Sequence, residues 1–238
     1  MSQVEILGVF VGKAELIDGG LSRATDKQRI DKRIWLWPQG LGEDQLGDAR
    51  YHGGQERALH HYPAEHYAFW RKRYPERNWG LSSFGENLST LGLREEQVCI
   101  GDIFRWGDAL IQVSQPRSPC YRLNPQGDQP HLALQAQDNG RCGWFYRVIK
   151  PGFVSSHEPL ELVQRTFPSL SVARALSHFY HTPMERSGLQ HLQQCPALSR
   201  QWRERVTQRL NTGLLEDWEE RLQGLPLLGT QQDERRYA

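Results

Sequence analysis

No stretch of the 238-residue chain approaches the about 18 consecutive apolar residues of a membrane-spanning helix, and Met1-Ser2-Gln3-Val4-Glu5 lacks the basic segment and apolar run of a secretory leader. The expectation is a soluble, cytoplasmic protein with no membrane partner. Charge of one sign is missing too: 29 Lys plus Arg against 28 Asp plus Glu leave a formal charge of +1. No overall field would draw the chain onto a nucleic acid polymer, and any anion binding has to be local. The four cysteines, Cys99, Cys120, Cys142 and Cys195, form none of the paired spacings of a zinc site. Without a secretory signal they are expected to be reduced thiols. There is no internal repeat, no low-complexity tract, no G-x-G-x-x-G or P-loop, and no flavin, NAD or iron–sulfur signature.

What is present suffices for a folded core: 38% hydrophobic residues, including 8 Trp, 8 Tyr and 8 Phe. The first two thirds of the chain read as strands. Val4 to Val11 is an apolar run rich in branched residues, and Val98–Trp106 and Ala109–Ser114 flank Gly107-Asp108 as a hairpin. Arg141–Ile149 and Pro159–Val163 continue the pattern, with Cys99 and Cys142 set in apolar sequence as core residues. Between them, Pro63 is expected to open a helix with Glu65 in its first turn and Arg71, Lys72 and Arg73 in its last, its Tyr67, Trp70 and Tyr74 packing inward. The mixed-charge run Asp26–Arg33 reads as a solvated surface. After Phe167-Pro168 the apolar period turns helical. Val172, Ala175, Leu176 and Phe179 mark one helix, Leu189 and Leu192 a second, and Leu198, Trp202, Val206 and Leu210 a third that ends at Asn211 and Gly213; Trp218 and Leu222 mark one further turn or two. The expected organisation is therefore a β-rich body over residues 1–166, three helices over 167–228, and a frayed tail over 229–238.

The stretch with most chemistry is Ser114-Gln115-Pro116-Arg117-Ser118-Pro119-Cys120-Tyr121-Arg122. Two prolines fix φ and remove two backbone donors, so a stiff extended loop should leave the second hairpin strand. Arg117 and Arg122 favour the Cys120 thiolate, the form that ligates metals and attacks electrophiles; the bland alternative is a cysteine packed as a small hydrophobe. A second stretch, Arg50-Tyr51-His52-Gly53-Gly54-Gln55-Glu56-Arg57, combines glycines that let the backbone approach a ligand with side-chain donors on either side, which suits an anionic or polyoxygenated ligand; the alternative is a plain turn. Adjacent His60 and His61 should face opposite sides of a strand and make no metal centre. In Phe84-Gly85-Glu86-Asn87-Leu88, two polar residues between apolar neighbours either face a site or satisfy a buried loop.

Tyr51-His-Gly-Gly-Gln-Glu-Arg-Ala-Leu, Phe84-Gly-Glu-Asn-Leu, Gly101-Asp-Ile-Phe-Arg-Trp-Gly and Ser114-Gln-Pro-Arg-Ser-Pro-Cys-Tyr, in this order, resemble the MOSC family, and within it the YiiM-type branch associated with resistance to 6-hydroxylaminopurine. The likeness spans about residues 47–165, and the helical C-terminus is similar to that branch's three-helix extension. The resemblance implies a mainly β, MOSC-type β-barrel with a few helices that binds a molybdenum–molybdopterin cofactor and needs no pyridoxal phosphate. Cys120 stands at the position of the family's metal ligand and is the implied catalytic residue. His52, Gly53, Gly54, Arg57, Glu86, Asn87, Ser114 and Arg117 are the implied cofactor contacts. The implied reaction is reduction of a small N-hydroxylated compound, detoxifying base analogues, with electrons from an external flavin or iron–sulfur protein. Two other readings use the same site: a sulfur carrier or transferase with a persulfide on Cys120, and a non-catalytic molybdopterin carrier. Whether the chain forms a homodimer is left open.

Overall fold

A computed structural model of the chain describes residues 3–12, 15–17, 21–23, 27–44, 53–124 and 131–224. Its strands are β1 (Gln3–Val4), β2 (Ile6–Gly12), β3 (Glu15–Ile17), β4 (Leu21–Arg23), β5 (Lys27–Arg29), β6 (Ile34–Trp37), β7 (Gly40–Leu41), β8 (Leu59–Pro63), β9 (Leu88–Thr90), β10 (Ile103–Trp106), β11 (Ala109–Pro116), β12 (Trp144–Lys150), β13 (Gly152–Val154) and β14 (Leu160–Gln164). The helices are α1 (His66–Arg73), α2 (Leu132–Asn139), α3 (Val172–Leu176), α4 (Arg186–Gln193), α5 (Arg200–Thr212) and α6 (Glu219–Gln223). Among the described residues no helix is long and apolar enough to cross a membrane.

Nine strands form one mixed sheet in the order β1-β14-β10-β11-β12-β8-β9-β2-β5, while β13-β6-β7 and β3-β4 form smaller sheets. Within the large sheet only β8 and β9 run parallel, and their connection contains α1, as a parallel crossover requires. The closed barrel implied by the family resemblance is not formed by the described residues. Among the described residues no ladder joins the two ends of the large sheet, and its end strands, two and three residues long, offer few groups with which to close it. The sheet nevertheless curls: only Glu5 separates β1, at one end, from β2, next to the other end.

The β10–β11 hairpin turns at Gly107-Asp108 as expected, with Trp106 opposite Ala109. β11 runs further than the prolines suggested, through Pro116, which pairs with Trp144 beside a register shift between Val113 and Gln115. Such irregular positions accommodate proline because no ladder donor is asked of it. Pro63 does not open a helix. It ends β8, whose residues are all buried, and α1 starts at His66 with Glu65 as its N-cap. Burial between β9 and β12 outweighs the local helix-start signal.

One apolar core joins the sheet to the C-terminal helices: Leu59, Trp106, Ile111, Trp144 and Tyr146 share it with Val172, Leu176, Phe179, Leu192, Trp202 and Val206. The helical apolar faces read from the sequence are thus buried. Ser171 and Ser199 cap α3 and α5 by accepting from Arg174 N and Trp202 N, and α5 ends at Gly213 in the left-handed conformation. A second, aromatic core of Tyr62, Tyr67, Trp70, Trp79 and Phe84 lies between α1 and β8, with Tyr62 and Phe84 stacked at 4.3 Å.

Candidate functional site

Cys120 follows the end of β11 in extended backbone (φ −131°, ψ 164°) and precedes a single 3-10 turn, Tyr121–Leu123. It is half-buried, whereas Cys99, Cys142 and Cys195 are buried. The sheet holds the loop through Arg117, whose N–H donates to Gly143 O (3.0 Å) and whose Nη1 donates to Phe84 O (2.6 Å). Gly143 is obligatory there: at φ +68° a Cβ would lie 2.1 Å from His61 O, so only glycine lets this segment pass β8. The C-terminal helices grip the loop's other side. Tyr180 Oη donates to Ser118 Oγ (2.7 Å), Arg221 donates to Pro119 O and to Gln137 Oε1 (2.6 Å), and Asn124 Nδ2 donates to Leu222 O (3.1 Å).

Gly54, at φ +106°, takes a conformation that favours glycine and leads into a short 3-10 turn, Gln55–Arg57. Ser114 Oγ, fully buried, lies 2.5 Å from Glu56 O and 3.0 Å from Phe145 O, so it ties this turn to β11. Arg57 is thereby carried toward α5. Its guanidinium bonds Gln201 of α5 and sits 5.9 Å from the Phe145 ring. Burial is the largest influence on Arg57 and lowers its pKa; Tyr180 raises it, Arg205 lowers it and Cys120 raises it. Arg57 is therefore within electrostatic reach of Tyr180, Arg205 and Cys120. Gly53 precedes the turn, and His52 lies outside the described residues.

Glu86 and Asn87 form a second set, fully engaged inside the protein. Glu86 accepts from Tyr67 Oη (2.6 Å), Ser82 N (2.7 Å) and Phe84 N (3.2 Å), and burial raises its pKa despite these donors. Asn87 Oδ1 accepts from His60 N (3.0 Å), while its Nδ2 donates to Phe10 O (3.1 Å) and Asp44 Oδ2 (2.6 Å). Asp44 in turn pairs with Lys27 (3.0 Å) and accepts from Gly12 N (2.7 Å). The solvated reading of Asp26–Arg33 fails at Lys27, whose side chain is 4% exposed; Arg29, Lys32 and Arg33 do face solvent. Asp26 lies outside the described residues. Arg117 links the two sets, because Nη1 also approaches His60 Nδ1 at 3.5 Å. Burial first, then Arg117, lowers the His60 pKa well below its usual value, so this ring is neutral.

Sequence reasoning missed Lys27, Asp44, Gln201, Tyr180 and Arg221. For Tyr180 the only signal was a tyrosine beside Phe179 on an otherwise apolar helical face.

Among the described residues no three His, Cys, Asp or Glu side chains gather where they could hold a metal ion. A metal bound through Cys120 must therefore arrive with most of its own ligands. A molybdopterin cofactor meets that condition: its dithiolene sulfurs hold the metal and leave a place for one soft thiolate. A cavity of about 510 Å³ lies elsewhere, lined by Gln3, Glu5, Ile6, Arg29, Ser156 and His157 among others, and contains none of these residues.

Residues 48–161 match the MOSC domain family and residues 170–213 the YiiM-like, 3-alpha helix domain. Protein YiiM of Escherichia coli (strain K12) is 43% identical over 91% of this chain and 97% of its own length. The crystal structure of YiiM from Escherichia coli superimposes with a TM-score of 0.81, covering 94% of this chain and 100% of that one at 39% identity. A protein of Gibberella moniliformis named reductase is 36% identical over 67% of this chain, which corresponds to 29% of that longer protein.

Proposed function

Because the chain belongs to the MOSC family, in the branch that carries the YiiM-like helical domain, we propose that it is a molybdenum-cofactor-dependent reductase of small N-hydroxylated compounds such as 6-hydroxylaminopurine. The observation that carries this reading is the half-buried Cys120 thiol, held in extended backbone within electrostatic reach of Arg57, with no cluster of metal ligands gathered among the described residues. The similarity to a protein named reductase supports the oxidoreductase class.

When bound, the cofactor supplies a redox-active metal that accepts oxygen from the substrate. Cys120 would be its one protein ligand. Arg57 and Arg117 would offset anionic charge, and the Gly53-Gly54 backbone, with His52, would meet the pterin edge. Glu86, Asn87 and Ser114 serve the site at one remove: their bonds hold the 84–87 loop, the His60 strand and the Arg57 turn in place. The net change, R–NHOH + 2 e⁻ + 2 H⁺ → R–NH₂ + H₂O, needs two electrons from an external flavin or iron–sulfur protein.

Protein produced in a host that makes the cofactor should contain molybdenum and pterin, and should reduce 6-hydroxylaminopurine with an artificial reductant. Cys120→Ala should abolish turnover, while Cys99→Ala retains it. Full turnover by Cys120→Ala overturns the reading. So does a cyanide-labile persulfide on Cys120 in metal-free protein, which favours sulfur transfer, or bound cofactor without turnover, which favours a carrier.

A further inference from the structure

We propose that the C-terminal helices position the Cys120 sulfur: Tyr180, through Ser118, and Arg221, through the Pro119 carbonyl, clamp the loop from the side opposite the sheet. The role of the sulfur rests on the reductase reading, but the clamp can be measured without cofactor.

Ser118 and Pro119 are the two residues before the thiol, and each is bonded by a side chain from the helical region. Proline has no N–H, so the carbonyl is the only polar backbone group with which Pro119 can be held, and Arg221 takes it. The second Arg221 nitrogen is bonded to Gln137 Oε1 of α2 at 2.6 Å, so the guanidinium bridges loop and helix as a rigid fork.

Tyr180 is mounted as firmly. Its ring lies 5.0 Å from Phe179, 6.0 Å from Trp202 and 5.2 Å from Trp218, with the Arg221 guanidinium 5.2 Å from its centroid. A ring fixed in this way gives up little further freedom when its hydroxyl bonds Ser118. Burial, its largest influence, raises the Tyr180 pKa, so the phenol stays protonated and remains a donor at neutral pH. Gly224, just after α6, packs on the ring of Tyr121, the residue after the thiol. The helices therefore touch the loop on both sides of Cys120.

Tyr180 and Arg221 are positioning residues, and the test must separate their bonds from simple packing. Alkylation of metal-free protein with iodoacetamide, followed by mass spectrometry of the Cys120 peptide, reads the loop directly, because the other three cysteines are buried. Tyr180→Phe keeps the ring and removes the hydroxyl. Together with Ser118→Ala, it should raise the alkylation rate at least about threefold at a nearly unchanged Tm, and the double variant should be no faster than either single one, as expected of two ends of one bond. Arg221→Gln should accelerate alkylation independently. In cofactor-loaded protein Tyr180→Phe should lower kcat with KM held, since the position of the sulfur changes and substrate contacts do not.

Unchanged alkylation in both Tyr180→Phe and Arg221→Gln overturns the clamp. Additive acceleration in the Tyr180→Phe/Ser118→Ala variant does so as well, by showing that the two groups act separately. Failure of the reductase reading looks different: loaded wild-type protein turns over no substrate while the alkylation pattern stands.

Discussion

Two polar regions meet at Arg117, and they are built in opposite ways. On one side Lys27, Asp44, Glu86, Asn87 and His60 are buried and saturate one another with hydrogen bonds. On the other, Cys120, Ser118 and Arg117 are half-buried, and the loop is held by the sheet side through Arg117 and by helices through Ser118 and Pro119. A buried polar group left unpaired is costly, so the first region has little capacity to spare for a ligand. The second leaves its cysteine half-buried. Sequence motifs alone treat both as candidate contacts, but their surroundings separate scaffold from reactive edge.

The contrast breaks most severely under acid. Burial holds the His61 pKa down to about 3, so the folded state refuses a proton that the unfolded chain accepts near its usual value of 6.5. Its contribution is intact above that value and is lost as pH falls toward 3, up to about 5 kcal/mol. Urea unfolding at stepped pH should show the decline, and His61→Gln should flatten it. Next in size is Asp44→Ala, which strands the Lys27 ammonium and should cost about 3–5 kcal/mol in the same assay. Adding Lys27→Met should recover much of that loss; no recovery would show that Asp44 matters through Gly12 and Asn87 instead. At the small end, Cys120→Ala should change stability by less than about 1 kcal/mol while removing activity. A large loss of stability there would erase the distinction between the two regions.

The extended loop that carries Cys120 was legible because prolines and a preceding strand are local features, and the helical faces around Phe179 and Trp202 were legible because their period is local too. Lys27 was not: its burial depends on Asp44, 17 residues away, and on Asn87, 43 residues beyond that. The helix expected from Pro63 formed with its basic last turn and inward-packed Tyr67 and Trp70, but it starts at His66, since packing between two strands decided the segment that Pro63 ends. Strand-rich texture was legible too, but closure of the sheet depends on register between its ends, which no single segment records. The bond between Tyr180 and Ser118 spans 62 residues and exists only after the helices dock.

The pairing of Gln3 with Glu161 and Val4 with Leu160 also bears on biosynthesis. A ribosome has to deliver most of the protein before its first strand can find a partner, so the N-terminus waits unpaired while the middle of the sheet assembles. At about 5–20 residues per second that wait lasts many seconds, long enough for a chaperone or a neighbouring nascent chain to engage the unpaired β1.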